Sequence, residues 1–237
     1  MRAVNRMFLY MVKQITQEMM MLMLAIAPVL VGVFFRLGIP FLENTVLKNY
    51  GFERMLVPYY EIFSWLLAML TGMLFAFAGG LVVLGEIDDN VAKYIMITPV
   101  GMRGYLSSRI IIPALISGAL TLILVPFFSL VHIGLSRLMV MALSTMLSGI
   151  VTTLLVVAIS SNKVEGMAVG KLSGFFGMVL FVPYVVTGTI QYVFCLFPMF
   201  WIGEWSLSGG WGKLMVALVE FIVWIYILFL QFQKKMA

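Results

Sequence analysis

"IFSWLLAMLTGMLFAFAGGLVVLG", Ile62–Gly85, runs for 24 residues without an Asp, Glu, Lys or Arg. Coiled at 1.5 Å per residue it makes a helix of about 36 Å, long enough to cross a hydrocarbon core of about 30 Å. The apolar residues are continuous rather than alternating, which argues for a helix over a barrel strand. Four more runs of this kind are present, at Met19–Phe35, Ile110–Gly134, Leu138–Asn162 and Leu172–Gly203, and a sixth, Leu214–Gln233, is interrupted only by Glu220. The composition agrees: 63% hydrophobic, 11% charged and a mean hydropathy of +1.10 lie outside the soluble range. The expected fold is therefore an all-α integral membrane protein with six transmembrane helices in one membrane domain, 1–237. The spans are placed at 19–35, 62–85, 110–132, 138–160, 172–186 and 214–233.

The first 18 residues carry Arg2, Arg6, Lys13 and Glu18 before any apolar run begins, so no cleavable signal peptide is evident. At 100° per residue Arg2, Arg6, Lys13 and Gln17 fall within a sector of about 60°, opposite Val4, Phe8, Met11 and Ile15. That pattern predicts an interfacial amphipathic helix over 1–18. Lys and Arg on alternate sides of six spans number ten against five, which predicts cytoplasmic termini in a multi-pass protein. The net charge of +5 is then a topology signal and not a nucleic-acid footprint. Cys195 is the single cysteine, so no internal disulfide or metal cluster of cysteines is possible.

The fifth run is too long for one span, because 32 residues would extend about 48 Å as a helix. Pro183, Gly188 and Pro198 are the candidate breakers. We read a span to Val186 and an outer re-entrant segment over 187–205 made of short broken helices before the last span. Trp201, Trp205 and Trp211, with Tyr59, Tyr60 and Trp65, mark the outer interface.

Catalytic motifs are missing. There is no GxxxxGK[ST] phosphate loop, no HExxH and no paired intramembrane aspartate, and the lone His132 reads as an interfacial residue. The chain is not expected to be an enzyme or to hold a cofactor or metal of its own. Glu220 is the one acid inside a span, about 10 Å in from Lys213 by helical rise. It could line a substrate path, carry a proton, or pair with Arg137 or Lys213; pairing or snorkelling is the reading favoured by its shallow position. Gly118, Ser144, Ser148, Gly149, Thr152 and Thr153 read as close helix packing.

Between the second and third spans lies "LGEIDDNVAKYIMITPVGMRGYLSSRI", Leu84–Ile110. Asp88 and Asp89 offer an N-cap and first-turn charge, and Pro99 stops a helix, which predicts a short helix over 88–98. Val91, Tyr94, Ile95 and Thr98 recur at i, i+3, i+4, i+7, giving it one apolar face. Such a face on a cytoplasmic loop suits headgroups or a groove on a cytosolic partner.

Glu86-Ile87-Asp88, Thr98-Pro99-Val100, Tyr105-Leu106-Ser107-Ser108-Arg109 and Ser161-Asn162-Lys163-Val164-Glu165-Gly166 stand in an order and at positions relative to the spans that resemble a known family. It is the integral-membrane subunits of type 2 ABC transporters, in particular the short six-span permeases of the fluoroquinolone-export type. The layout of nearly the whole chain takes part. The resemblance implies that the first cytoplasmic loop is a coupling helix docking into an ATPase subunit. Asp88, Asp89, Val91, Tyr94, Ile95 and Thr98 would be the principal contact, with Asn162, Lys163 and Glu165 a lesser one. It also implies a second permease chain, in a homodimer or heterodimer, two separate ATPase subunits that carry ATP and Mg, membrane lipid around the spans, and a prokaryotic plasma membrane. The outer loop Arg36–Glu61 is modest, so no folded extracellular domain is expected. The expected function is the permease subunit of an ATP-driven exporter. The alternatives are an ion-coupled secondary transporter or channel without ATPases, which calls for more intramembrane charge and an internal repeat, and a non-transporting scaffold.

Overall fold

The structure, a computed structural model, describes residues 2–47, 56–96 and 101–236. Among these residues every regular element is helical. Six helices are long and apolar enough to cross a membrane: Met19–Thr45, Val57–Asp88, Gly104–Phe128, Leu135–Ile159, Lys163–Val185 and Trp211–Lys235. They correspond in order to the six apolar runs, and each reaches past its run at one end or both, while the third, fourth and fifth stop short of the run's far end, at Phe128, Ile159 and Val185. The search for charge-free runs stops at the first ionic residue, whereas a helix carries its charges in its end turns. The fifth span shows this best, since it starts at Lys163 and includes Glu165 and Lys171.

The second span sits at the centre and packs against the first, third, fourth and fifth; the fourth joins it to the sixth. Its small residues allow that central place. A Cβ on Gly72 would lie 2.7 Å from the Thr145 carbonyl oxygen, so the second and fourth spans meet backbone to backbone there. Thr145 Oγ1 donates to the Ala68 carbonyl and Thr153 Oγ1 to the Ala76 carbonyl, each at 3.1 Å. In the absence of a hydrophobic drive between helices in lipid, such close contacts and cross-helix hydrogen bonds, about 0.6 kcal/mol each, hold the pair together.

Two prolines shape the ends of the first and third spans. Pro40 and Pro113 have no N–H for the carbonyl four residues back, and the helix widens just before each. The Ile39 N–H bonds to the Phe34 carbonyl and the Ile112 N–H to that of Ser107, five residues back in both cases.

The N-terminal helix, Arg2–Gln17, lies against the bundle. Met11 and Ile15 are buried with Met21, Leu81 and Val82, so its apolar face is covered largely by the second span. Arg6 and Lys13 face outward. The backbone becomes extended at Glu18 and a new helix starts at Met19.

At the far end the fifth span stops at Val185 and Gly188 turns the chain with φ +88°. A 3-10 segment, Thr189–Phe194, and a helix, Pro198–Ser208, follow before the sixth span. The helix ends at Ser208 and not at Trp205, because the positive-φ pair Gly209 and Gly210 is what stops it. Trp65 is 1% exposed, and its ring and that of Trp205 pack edge to face at 6.5 Å inside the bundle.

Candidate functional site

The sequence-predicted site residues gather at the end of the bundle that carries the loops after the second and fourth spans. The short helix starts at Val91 and not at 88, and is described as Val91–Met96; its expected end at 98 lies outside the described residues. Asp88 is the last residue of the second span, and Asp89 and Asn90 form the turn, with Asn90 at φ +59°, a conformation that Asn tolerates better than most residues. Asp88 and Asp89 therefore do not cap this helix. Thr98 and Pro99 lie outside the described residues.

The helix presents two faces. Ala92 is fully buried and Ile95 half-buried against the main core, while Val91 and Tyr94 point away from it, at 39% and 69% exposure. Ile95 thus belongs to the face that seats the helix and not to the free one. The i, i+3 pair Val91 and Tyr94 is what remains for a partner.

Beneath the helix a buried polar cluster joins its two stems. Arg109, at the start of the third span, forks onto Glu86 at the end of the second: Nε donates to Oε2 at 3.0 Å and Nη2 to Oε1. The side chains are 1% and 2% exposed. Tyr105 donates its hydroxyl to Glu86 Oε2 at 3.0 Å. The third guanidinium branch, Nη1, donates to the Met7 carbonyl of the N-terminal helix at 2.6 Å. A bidentate fork with an added donor is the geometry in which a buried ion pair offsets its desolvation. Glu86 and Arg109 were legible only as parts of the family pattern. The signal for their pairing was nonetheless present, as opposite charges on the same-side flanks of consecutive spans.

The second loop meets the first here. Asn162 caps the fifth span by accepting the Glu165 N–H at 2.9 Å, and Glu165 reaches back to accept the Ser161 N–H at 2.6 Å. Asp88 joins this cap, taking the Lys163 N–H at 2.9 Å, while Lys163 Nζ pairs with Glu18 at 2.6 Å. A polar cavity of about 280 Å³ opens between Gln14, Glu18, Asp88, Asp89 and Lys163. Lys235, at the end of the sixth span, closes the C-terminus of the fourth by donating to the Val157 carbonyl at 2.8 Å and to that of Ser160.

Glu220 stands apart from this end. Neither expected cation reaches it: Arg137 pairs with Glu61, and Lys213 with Glu204 at 2.6 Å. Trp201 takes their place, its Nε1 donating to Glu220 Oε1 at 2.9 Å and to the Cys195 carbonyl at 2.8 Å. Trp224 Nε1 donates to the Leu196 carbonyl at 3.0 Å, so two indoles fasten the broken segment between the fifth and sixth spans to the sixth span. A neutral indole fits a carboxyl at membrane depth, because long basic side chains nearer the interface are drawn to partners there.

A second cavity, about 300 Å³, lies between the second and fifth spans and is lined by Met69, Met73, Phe77, Gly170, Phe175 and Met178. Its walls are apolar and built largely from flexible thioethers and rings, which adapt to ligands of varied shape.

The family profile described as "Fluoroquinolones export permease protein Rv2686c-like" matches residues 11–232. Two relatives, both named fluoroquinolones export permease protein and belonging to the CDC 1551 and H37Rv strains of Mycobacterium tuberculosis, are each 26% identical over 231 residues. The match covers 93% of this chain and 90% of the relative in both cases. No solved structure matches the chain. With six membrane-crossing helices and a profile match over nearly its whole length, the chain belongs to the Rv2686c-like fluoroquinolones export permease family of multi-pass membrane transport subunits.

Proposed function

We propose that this chain is the permease subunit of an ATP-driven exporter and that Val91–Met96 is its coupling helix. The observation that carries the reading is the outward apolar pair on that helix. Val91 and Tyr94 are exposed while the helix itself is seated through Ala92 and Ile95 in the main core, and the stems of its loop are joined by a buried ion pair. A solvated loop needs neither the apolar pair nor the seat. An amphipathic helix offered to a groove needs both.

In this reading both termini and the loop end of the bundle are cytoplasmic, in keeping with the excess of Lys and Arg on that side. Two separate ATPase subunits hold ATP and Mg, and a second permease chain completes the path. Closure of the ATPases on nucleotide pushes the coupling helices, and the paired permeases rock between inward and outward access. Asn162, Lys163 and Glu165 form the lesser contact. The relatives' names and the Met- and Phe-lined cavity between the second and fifth spans favour an amphipathic, ring-bearing cargo moved outward. Glu220, on the sixth span, is assigned the structural place of anchoring the preceding segment through Trp201, which leaves an ion-coupled mechanism without Glu220 as a relay.

The test is co-purification in lipid nanodiscs with the ABC ATPase subunits of the same cell. The double substitution Val91→Asp and Tyr94→Asp should leave the permease folded, because both side chains are outside the core. It should cut ATPase capture and nucleotide hydrolysis at least tenfold. Capture and hydrolysis at the wild-type level in a folded variant would remove the coupling assignment.

A further inference from the structure

The Arg109 cluster does more than close a charge pair. Its donors tie three elements together: Nε and Nη2 reach Glu86 at the end of the second span, Nη1 reaches the Met7 carbonyl of the N-terminal helix, and Arg109 itself opens the third span. The same helix is fastened again at its far end, where Glu18 pairs with Lys163 at the start of the fifth span. Lys163 in turn is bound through its backbone N–H to Asp88. Met7 and the helix end at Gln17 are 10 residues apart, about 15 Å by helical rise, and Glu18 follows directly on that end. Between them Met11 packs so closely on the second span that a Cβ on Gly79 would fall 2.9 Å from its Cε. Beyond the second fastening the backbone leaves the helix at Glu18 and the first span begins at Met19.

We propose that Arg109, Glu86 and Tyr105 are positioning residues that clamp the N-terminal helix to both stems of the coupling loop. The surface helix then moves as one body with the coupling helix and delivers its motion to the first span through the break at Glu18. The proposal rests on the coupling reading above and names the residues that transmit it. The chemistry demands Arg at position 109. A lysine ammonium keeps the charge but is a compact point donor without the planar fork, and cannot hold Glu86 bidentately while also reaching the Met7 carbonyl. An apolar residue there strands a buried carboxylate. Reversing the pair restores charge balance but puts a carboxylate, which cannot donate, where the Met7 carbonyl needs a donor.

That last difference separates transmission from simple stability. With Cys195→Ser as background, spin labels are placed at Tyr10→Cys on the N-terminal helix and Ile111→Cys beside the third stem, both exposed. Label-to-label distances are read in nanodiscs with labelled chain diluted into unlabelled chain, and substrate moved per ATP is measured on the complex with its ATPase. The wild-type chain should give one narrow distance distribution, unchanged between nucleotide-free and vanadate-trapped complexes. Arg109→Lys should broaden it at least twofold and lower substrate moved per ATP at least fivefold with the complex still assembled. The swap Glu86→Arg with Arg109→Glu should recover thermal stability relative to either single change yet keep transport per ATP at a fifth of wild type or less. Full recovery of coupling by the swap, or a wild-type distribution in Arg109→Lys, would overturn the proposal. A shift of the wild-type distance between the two nucleotide states would also overturn it. A wild-type chain that captures no ATPase would count against the coupling reading instead, and the distances would still decide whether the clamp exists.

Discussion

Replacing Arg109 with Met keeps most of the side-chain length and removes every donor. Glu86 is then left with the Tyr105 hydroxyl alone, in a place where its side chain is 2% exposed. Breaking a buried pair from one side costs about 3–5 kcal/mol, because the remaining charge has no water to return to. The double variant Glu86→Leu with Arg109→Met removes that charge as well. What it leaves unsatisfied is chiefly the Tyr105 hydroxyl, at about 1–3 kcal/mol. The double change should therefore be less damaging than the single one, a sign reversal that simple additivity cannot produce. The internal control is Arg137→Met. Its partner Glu61 and its own side chain are 32% and 45% exposed, and the loss should stay within about 1 kcal/mol. The assay is equilibrium unfolding in mixed micelles, followed by tryptophan fluorescence, for the two single variants and the double. Equal costs for Arg109→Met and Arg137→Met, or a double variant no more stable than Arg109→Met, would refute the reasoning.

Three further outcomes follow from the packing. Gly72→Leu should destabilise the bundle by more than Thr145→Val, since any Cβ at 72 meets the Thr145 backbone whereas the valine forfeits one hydrogen bond of about 0.6 kcal/mol; equal unfolding midpoints would contradict this. Lys235→Met should loosen the end of the fourth span, raising amide exchange just after Ile159 while leaving the start of that helix protected. Trp201→Phe removes the indole donor shared by Glu220 and Cys195, and should free the segment near Thr189–Phe194 to proteolysis without detaching the sixth span from the fourth.

The spans were legible because hydropathy over about 20 residues is a strong signal, and it is generated by the same solvent that selects the fold. Span ends were less so. Lys171 stopped the charge-free run at Leu172, yet the fifth helix continues back through it to Lys163, where the Asn162 cap and Asp88 hold its first turn. The loop helix was foreseen as a helix, but its caps were misassigned. Asp88 is an acceptor in search of any free N–H, and tertiary structure offered it Lys163 rather than its own sequence neighbours. Ile95 shows the limit of periodicity: spacing of i, i+3, i+4 marks an apolar stripe without saying which part of the stripe is core. The Glu86 and Arg109 pairing was signalled by opposite charges on the same-side flanks of consecutive spans, but its geometry depends on how far the two spans slide past each other. Trp201 as the partner of Glu220 was hidden for the same reason, because a re-entrant fold brought together residues 19 apart that share no helix.

The most direct test of the account is transport itself. Inverted vesicles carrying this chain and an ABC ATPase subunit that captures it would be loaded from outside with a fluorescent fluoroquinolone, with and without ATP and Mg. The account predicts ATP-dependent uptake into the lumen that vanadate blocks and that Val91→Asp with Tyr94→Asp abolishes. It also predicts that collapsing the proton gradient leaves uptake unchanged. Uptake that persists without ATPase or ATP and follows the proton gradient would contradict it.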